Sequence, residues 1–597
     1  MGISIAIATF LVAGAFAAFN MTDERHHTVI SSPPPTLQPR ASRQPTTSPQ
    51  KTPQAFPGTG TDAASTNTTA PPPSLVRLGG DRLMGRAIAA PESTGGTLVV
   101  GVSDQPTSLN PLLAGPQPAE SILNAIFEPL VEPHPDTLEP VGVLAESWSV
   151  DGRGTTWTFN LRAGVTWHDG LPLIAEDVVY SFNRYLDSDL GHPASSKLSG
   201  IIVDVEAESD LVVTVKTAEP HADLPVELGV LPIVAKHVLE DVPIGALATH
   251  GSSTGTSAEA VIGTGPFRFE GIAPDGEIMT RAFSGYWDGT PVLDAIVAKP
   301  VPNQAKMIEL LRAGEIDVGT LSPGSVSAFD GLPVRMVDYA LSGFTMLGFN
   351  LNPNSTPIFQ DVRVRQALLH ALDREAMVQD IRSGYGDVVA GTFPVNSWAN
   401  PADGLSVSYA YDPARARELL DQAGWTTGQD GVRGWDGRKL SFRLITNSEN
   451  PMRIEYLNQI REQWLAIGST LNWSSNPLRT SKTGNRTGDF DVFLLGYDWD
   501  LSLDQSAIWA CAGGRPAANF TGYCNPRVDD LLVRARRELD PDRRIALYRE
   551  AQELVLADLP VAILDFPRGL SGVADRAHNV YPSSTNLYFN AETWWID

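Results

Sequence analysis

The chain has 597 residues, 42% of them hydrophobic and 19% charged, a balance of folded, water-exposed proteins and a length sufficient for several hydrophobic cores. Its formal net charge of −25 argues against nucleic acid, whose phosphates require a basic face, and against adsorption to anionic lipid. The two cysteines, Cys511 and Cys524, are too far apart for a CxxC redox motif or a zinc knuckle.

Residues 3–19 form an apolar run rich in Ala, Ile and Phe, with small residues toward its end. The run fits an export signal or, at the short limit for crossing a bilayer, an uncleaved membrane anchor. No Lys or Arg precedes it, and no Cys follows it to carry a lipid. Residues 20–94 are rich in Pro, Ser, Thr and Gln, with two Pro triplets at 33–35 and 71–73. Such a segment buries too little apolar surface to offset its ordering entropy and is expected to be a disordered tether. The GTGTDA string at 58–63 has no strand before it and does not count as a dinucleotide loop.

Residues 97–102, TLVVGV, are an expected strand, and residues 121–130 a short helix. Residues 155–182, TTWTFNLRAGVTWHDGLPLIAEDVVYSF, carry the clearest local pattern of the chain. Trp157, Phe159 and Leu161 alternate onto one face of a strand, His168-Asp169-Gly170 makes a turn, and Glu176-Asp177 leads a helix. Alternating strands continue through residues 201–217, and Gly263-Thr264-Gly265-Pro266-Phe267 reads as a tight structural turn. A helix is expected from Asp361 through DVRVRQALLHALDREAMV. Asp412-Pro413, Asn525-Pro526 and Asp540-Pro541 each place a cap acceptor before Pro at the first helical position, and Gly424 stops the first of these helices. Residues 490–496, FDVFLLG, read as a buried strand.

Catalytic machinery is not legible. HExxH and GxxxxGK[ST] are absent, and the only adjacent histidines, His26 and His27, lie in the tether. No nucleophile, metal site or cofactor is indicated, and His370 has no second histidine at ligand spacing. The densest chemistry is aromatic residues beside acids at Tyr497, Asp498, Trp499, Asp500, Asp504 and Trp509. A cationic ligand would use such carboxylates for charge-assisted hydrogen bonds and such rings for cation–π contact; packing aromatics and solvated acids would give the same pattern. Twelve residues separate Cys511 from Cys524, a spacing that can close as a disulfide or leave two thiols. An export signal favours the bond.

The stretch at 155–182 closely resembles the signature region of the family 5 extracellular solute-binding proteins, the oligopeptide- and dipeptide-type receptors of ABC importers. Ser108-Leu109-Asn110-Pro111, Leu144-Ala145-Glu146-Ser147-Trp148, the GTGPF element, Tyr286-Trp287, Ala313-Gly314-Glu315-Ile316-Asp317 and Gly348-Phe349-Asn350 occur in that family's order. The resemblance implies an α/β, bilobal periplasmic-binding-protein-like fold (type II, large peptide-binding subclass) with mixed sheets and a hinged cleft. Residues 95–345 would form lobe I, with a smaller subdomain at about 130–262. Residues 346–560 would form lobe II, and 561–597 would return to lobe I.

The same resemblance implies a receptor that binds and does not catalyse. It would hold a peptide or related small solute and hand it to an ABC permease at the outer face of the cytoplasmic membrane or in the periplasm, as a monomer. The alternative is a ligand-sensing or scaffold protein of the same fold. Carried over by motif spacing, the carboxylate that pairs with a peptide amine falls on Asp500, with Tyr497 and Trp499 beside it. Trp398 resembles a cleft-edge position, and Asn350 would offer its amide to a ligand or play a structural role. After Asp500 the family's Pro-containing run is replaced by Leu501-Ser502-Leu503, which leaves the ligand open among peptides, sugars, metal complexes and other solutes.

Overall fold

The structure is a computed structural model that describes residues 75–78, 89, 91–114, 119–229, 231–476, 488–499, 502–511 and 518–597. The apolar run at 3–19 and residues 20–74 lie outside the described residues, as does Asp500. Among the described residues no helix is long and apolar enough to cross a membrane.

A twelve-stranded sheet runs through the molecule. On one side Thr97–Val102, Ala295–Pro300, Ile278–Ala282 and Phe267–Ile272 lie next to one another, with Val318–Thr320 on the inner flank. On the other side stand Phe344–Phe349, Val492–Tyr497, Ser441–Asn447 and the edge strand Thr470–Asn476. One long strand, Val561–Ala574, joins the halves. Its first residues pair with Phe344–Phe349 (Gly348 opposite Val561), and its last pair with Val334–Ala340 and Val318–Thr320. The chain therefore crosses between the lobes twice side by side, at residues 341–343 and around Pro567. The position expected to open the return to lobe I, residue 561, begins a strand that both halves share.

The subdomain has its own five-stranded sheet, in which Thr156–Leu161 is central. Trp157, Phe159 and Leu161 are buried and Asn160 is exposed, because alternate side chains leave opposite faces of a strand. They pack with Trp148, Trp167, Phe182 and Tyr185, each large side chain contributing roughly 1.5–3 kcal/mol on burial. Residues 75–78, expected in the disordered tether, instead add an edge strand to this sheet, Leu75 opposite Val150. The run LVRL has β-forming residues, and an open sheet edge offers it unpaired backbone groups.

The Asn-Pro and Asp-Pro caps stand as read. Asp412 accepts from the Arg415 N–H at 2.8 Å, Asn525 from Arg527 at 3.0 Å and Asp540 from Arg543 at 3.0 Å. The helix expected to run unbroken from Asp361 is two helices, Val362–His370 and Arg374–Ile381. Asp373 breaks it by accepting from the Ala376 N–H and capping the second helix, a competition with the backbone that an interior Asp readily wins. The expected helix at 121–130 is a single turn, Leu123–Ile126.

Candidate functional site

The most diagnostic stretch of the sequence lies outside the cleft. His168 is buried and ties the two turn motifs together: its Nε2–H donates to the Gly265 carbonyl at 2.9 Å, and its Nδ1 accepts from the Gly263 N–H at 3.2 Å. Burial lowers its pKa to about 4, so the ring is neutral. The glycines are required by close approach, since a Cβ at Gly263 would lie 1.8 Å from the Ile126 carbonyl oxygen. Asp177 is equally occupied, accepting from the Ile174 N–H, the Lys236 N–H and the Trp167 indole. These polar groups are used within the protein, which marks the region as framework.

The cleft between the lobes encloses about 1650 Å³. Its floor is the double crossing, with Ser342, Gly343, Pro567 and Arg568. The lobe II wall carries Arg453, Tyr456, Asp498 and Trp499; the lobe I wall carries Glu120, Glu128 and Tyr339. Asp498 follows the strand Val492–Tyr497. Side chains of that strand alternate: Phe493, Leu495 and Tyr497 enter one core and Val492 and Leu494 another, while Gly496 and Asp498 reach the cleft. Asp498 passes over Gly343, where a Cβ would sit 2.3 Å from Oδ1.

The Asp498 carboxylate has no hydrogen bond or ion pair among the described residues. It reaches the water of the cleft, yet the surrounding protein desolvates it and raises its pKa to about 6, against the opposing pull of Arg453. Burial likewise lowers the Arg453 pKa to about 10. Arg453 stands in the first turn of the helix Pro451–Leu465, whose Asn450 cap also lines the cleft. Guanidinium and helix N-terminus thus both favour a negative or carbonyl group there. The Trp499 indole N–H is buried with no partner among the described residues.

Of the residues singled out from the sequence, Trp499 lines the cleft, and Tyr497 lies behind it in the core, its ring 4.9 Å from that of Trp499. Asn350 is buried away from the cleft lining. Its amide donates to the Gly488 and Phe490 carbonyls and accepts from the Asn352 N–H, so its capacity is used in joining its own loop to the segment that leads into Val492–Tyr497. Trp398 sits where the subdomain meets lobe II, its N–H donating to the Thr137 carbonyl and its ring 5.8 Å from the Arg544 guanidinium. At that contact Arg544 pairs with Asp223 at 2.5 Å, both side chains almost wholly buried, and the Ala222 N–H donates to the Arg536 carbonyl. Cys511 and Cys524 are joined as a disulfide.

Sequence reasoning passed over Arg453 and Glu120. Strand parity beyond Gly496 is the signal that would have separated Asp498 from Tyr497. Nothing local distinguishes Glu120 or Arg453 from the many surface acids and arginines.

The sequence profile described as "Bacterial extracellular solute-binding proteins, family 5 Middle" matches residues 139–519. The oligopeptide-binding protein AppA of Bacillus subtilis is 28% identical over 516 residues, 84% of this chain and 92% of the relative. The dipeptide-binding protein of Escherichia coli is 26% identical over 504 residues, 78% and 89% of the two chains. The solved structure of Bacillus subtilis AppA in complex with a nonapeptide superposes with a TM-score of 0.64 at 26% identity, covering 85% of this chain and all of that one. With its bilobal α/β architecture, its cleft and this match over most of its length, the chain belongs to family 5 of the bacterial extracellular solute-binding proteins.

Proposed function

We propose that the protein is a receptor outside the cytoplasm that closes its lobes on a peptide-like solute bearing a free amine and presents it to an ABC permease. The observation that carries this is a cleft of about 1650 Å³ holding Asp498 without a partner among the described residues. An ammonium group placed there forms a charge-assisted hydrogen bond with Asp498, and the unpartnered Trp499 N–H is a donor for a carbonyl. Arg453 and the helix end beside it suit a carboxylate or the next carbonyl. The names of the relatives, an oligopeptide- and a dipeptide-binding protein, agree in ligand class. Asp500, the carboxylate nominated by the resemblance, is the second candidate for the amine. Binding without catalysis requires only closure, which desolvates the ligand and strengthens each polar contact.

Calorimetry on protein freed of bound solute tests the proposal, using trialanine and its N-acetylated form. Trialanine binds and acetylation abolishes binding. Equal affinity for the two forms would remove the amine from recognition, and binding of neither would remove short peptides as the ligand class.

A further inference from the structure

We infer that the cleft is built for a ligand with a second positive group, and that Glu120 on the lobe I wall receives it. For a peptide this means a basic side chain of the lysine or arginine type. The inference rests on the peptide-receptor reading and names the substrate class within it.

The cleft's charges are not evenly treated. Lys197 pairs with Glu227 at 3.1 Å, Arg382 with Asp565, and Arg568 with Asp338 and Asp387. On the acidic side, Asp504 pairs with Arg536 at 3.1 Å, and Glu128 accepts from the Tyr286 hydroxyl at 2.9 Å and the Trp287 indole. Glu120, on lobe I, differs from these. It is only 8% exposed, yet no cation pairs with it among the described residues. Its Oε1 accepts the Ser103 N–H at 3.1 Å and the Ser103 hydroxyl. Its other oxygen has no partner among the described residues, and the residue lines the cleft.

A desolvated carboxylate without a counter-charge is costly, so a fold that keeps one in a ligand cleft has left it for the ligand. Glu120 is also held still. The Tyr588 hydroxyl donates to its backbone carbonyl at 3.3 Å, and the Leu587 N–H donates to the carbonyl of Ala119 at 2.7 Å. The nearby phenols, Tyr339 and Tyr588, are kept neutral by burial and by its charge, so neither adds a second negative charge beside it. Asp498 belongs to lobe II, and Arg453 is the charge that acts on it. Glu120 and Asp498 therefore stand on opposite walls, and a ligand that meets both draws the lobes together.

The test is calorimetry on the full chain with Ala-Lys-Ala, Ala-Ala-Lys and the same peptides with norleucine for lysine, which keeps length and apolar stem while removing the charge. Wild-type protein binds at least one lysine peptide tenfold or more tighter than its norleucine counterpart. Glu120→Gln removes that preference, and an unchanged thermal unfolding midpoint reports that the variant is folded. Equal affinities in the wild type, or a preference that survives Glu120→Gln, overturn the inference while leaving the peptide receptor intact. Failure of all four peptides to bind overturns the peptide reading and this inference together.

Discussion

The framework around His168 and the cleft around Asp498 are built from the same kinds of residue, turn acids and aromatics, yet they treat polar groups in opposite ways. Asp177 receives three donors, His168 bridges two backbone groups, and Asp223 is matched by Arg544. Asp498 and Glu120 face the cleft with capacity unused among the described residues. Buried polar groups are normally satisfied, which makes Glu120 the anomaly of burial, while Asp498 opens to the cleft water; both differ from the residues that hold the fold. Abundance of acids, the most visible property of the sequence, does not make this distinction; hydrogen-bond accounting does.

The contrast can be broken most forcefully at the paired end. Asp223→Ala leaves Arg544 charged and buried at the contact between subdomain and lobe II, which should cost about 3–5 kcal/mol of the folded state. A lower denaturant midpoint, or a larger radius of gyration in solution scattering, reads this out; no change in either would place the pair with the dispensable ion pairs.

His168 supplies a test by pH. Its pKa is near 4 in the fold and about 6.5 unfolded, so below 6.5 the unfolded chain takes up a proton that the folded chain refuses. Stability is therefore fully present above about 6.5 and falls by about 3 kcal/mol as pH drops toward 4. Denaturant titrations across this window should show a steeper loss for the wild type than for His168→Gln, which cannot titrate; parallel curves would mean that the ring is not held neutral.

At the open end, Asp498→Asn should weaken an amine-bearing peptide by about 2 kcal/mol, roughly thirtyfold, the worth of one charge-assisted hydrogen bond. The melting temperature should stay level or rise, because the folded state already disfavours that charge. Unchanged affinity here, with a loss in Asp500→Asn, would transfer the amine to the neighbouring carboxylate. The smallest effect is graded. Asp498 loses its charge as pH falls through about 6, so wild-type affinity should decline toward tenfold per pH unit below that value, and the decline should be absent in Asp498→Asn.

The division runs through the sequence as well. The alternation of Trp157, Phe159 and Leu161, the Pro-preceded caps at Asp412, Asn525 and Asp540, and the GTGPF turn are local physics, legible because each depends on neighbours in the chain. The break in the helix after Asp361 and the strand at residues 75–78 are not legible in this way, because a competing cap and a distant sheet edge decide them. At the site, the acid–aromatic cluster is visible but its internal assignment is not. Tyr497 and Asp498 are adjacent in sequence and face opposite sides of a strand, and Asn350 is consumed by the distant segment at Gly488 and Phe490.

Motif order by itself pointed to the family, and through that resemblance to a lobed α/β architecture, since each motif rests on residues that act within a few positions of one another. Which carboxylates are open was settled only in three dimensions. Glu120 is 378 residues from Asp498 in the chain. Whether either has a partner depends on which lobes, strands and arginines the fold brings beside it, and on how much water it leaves there.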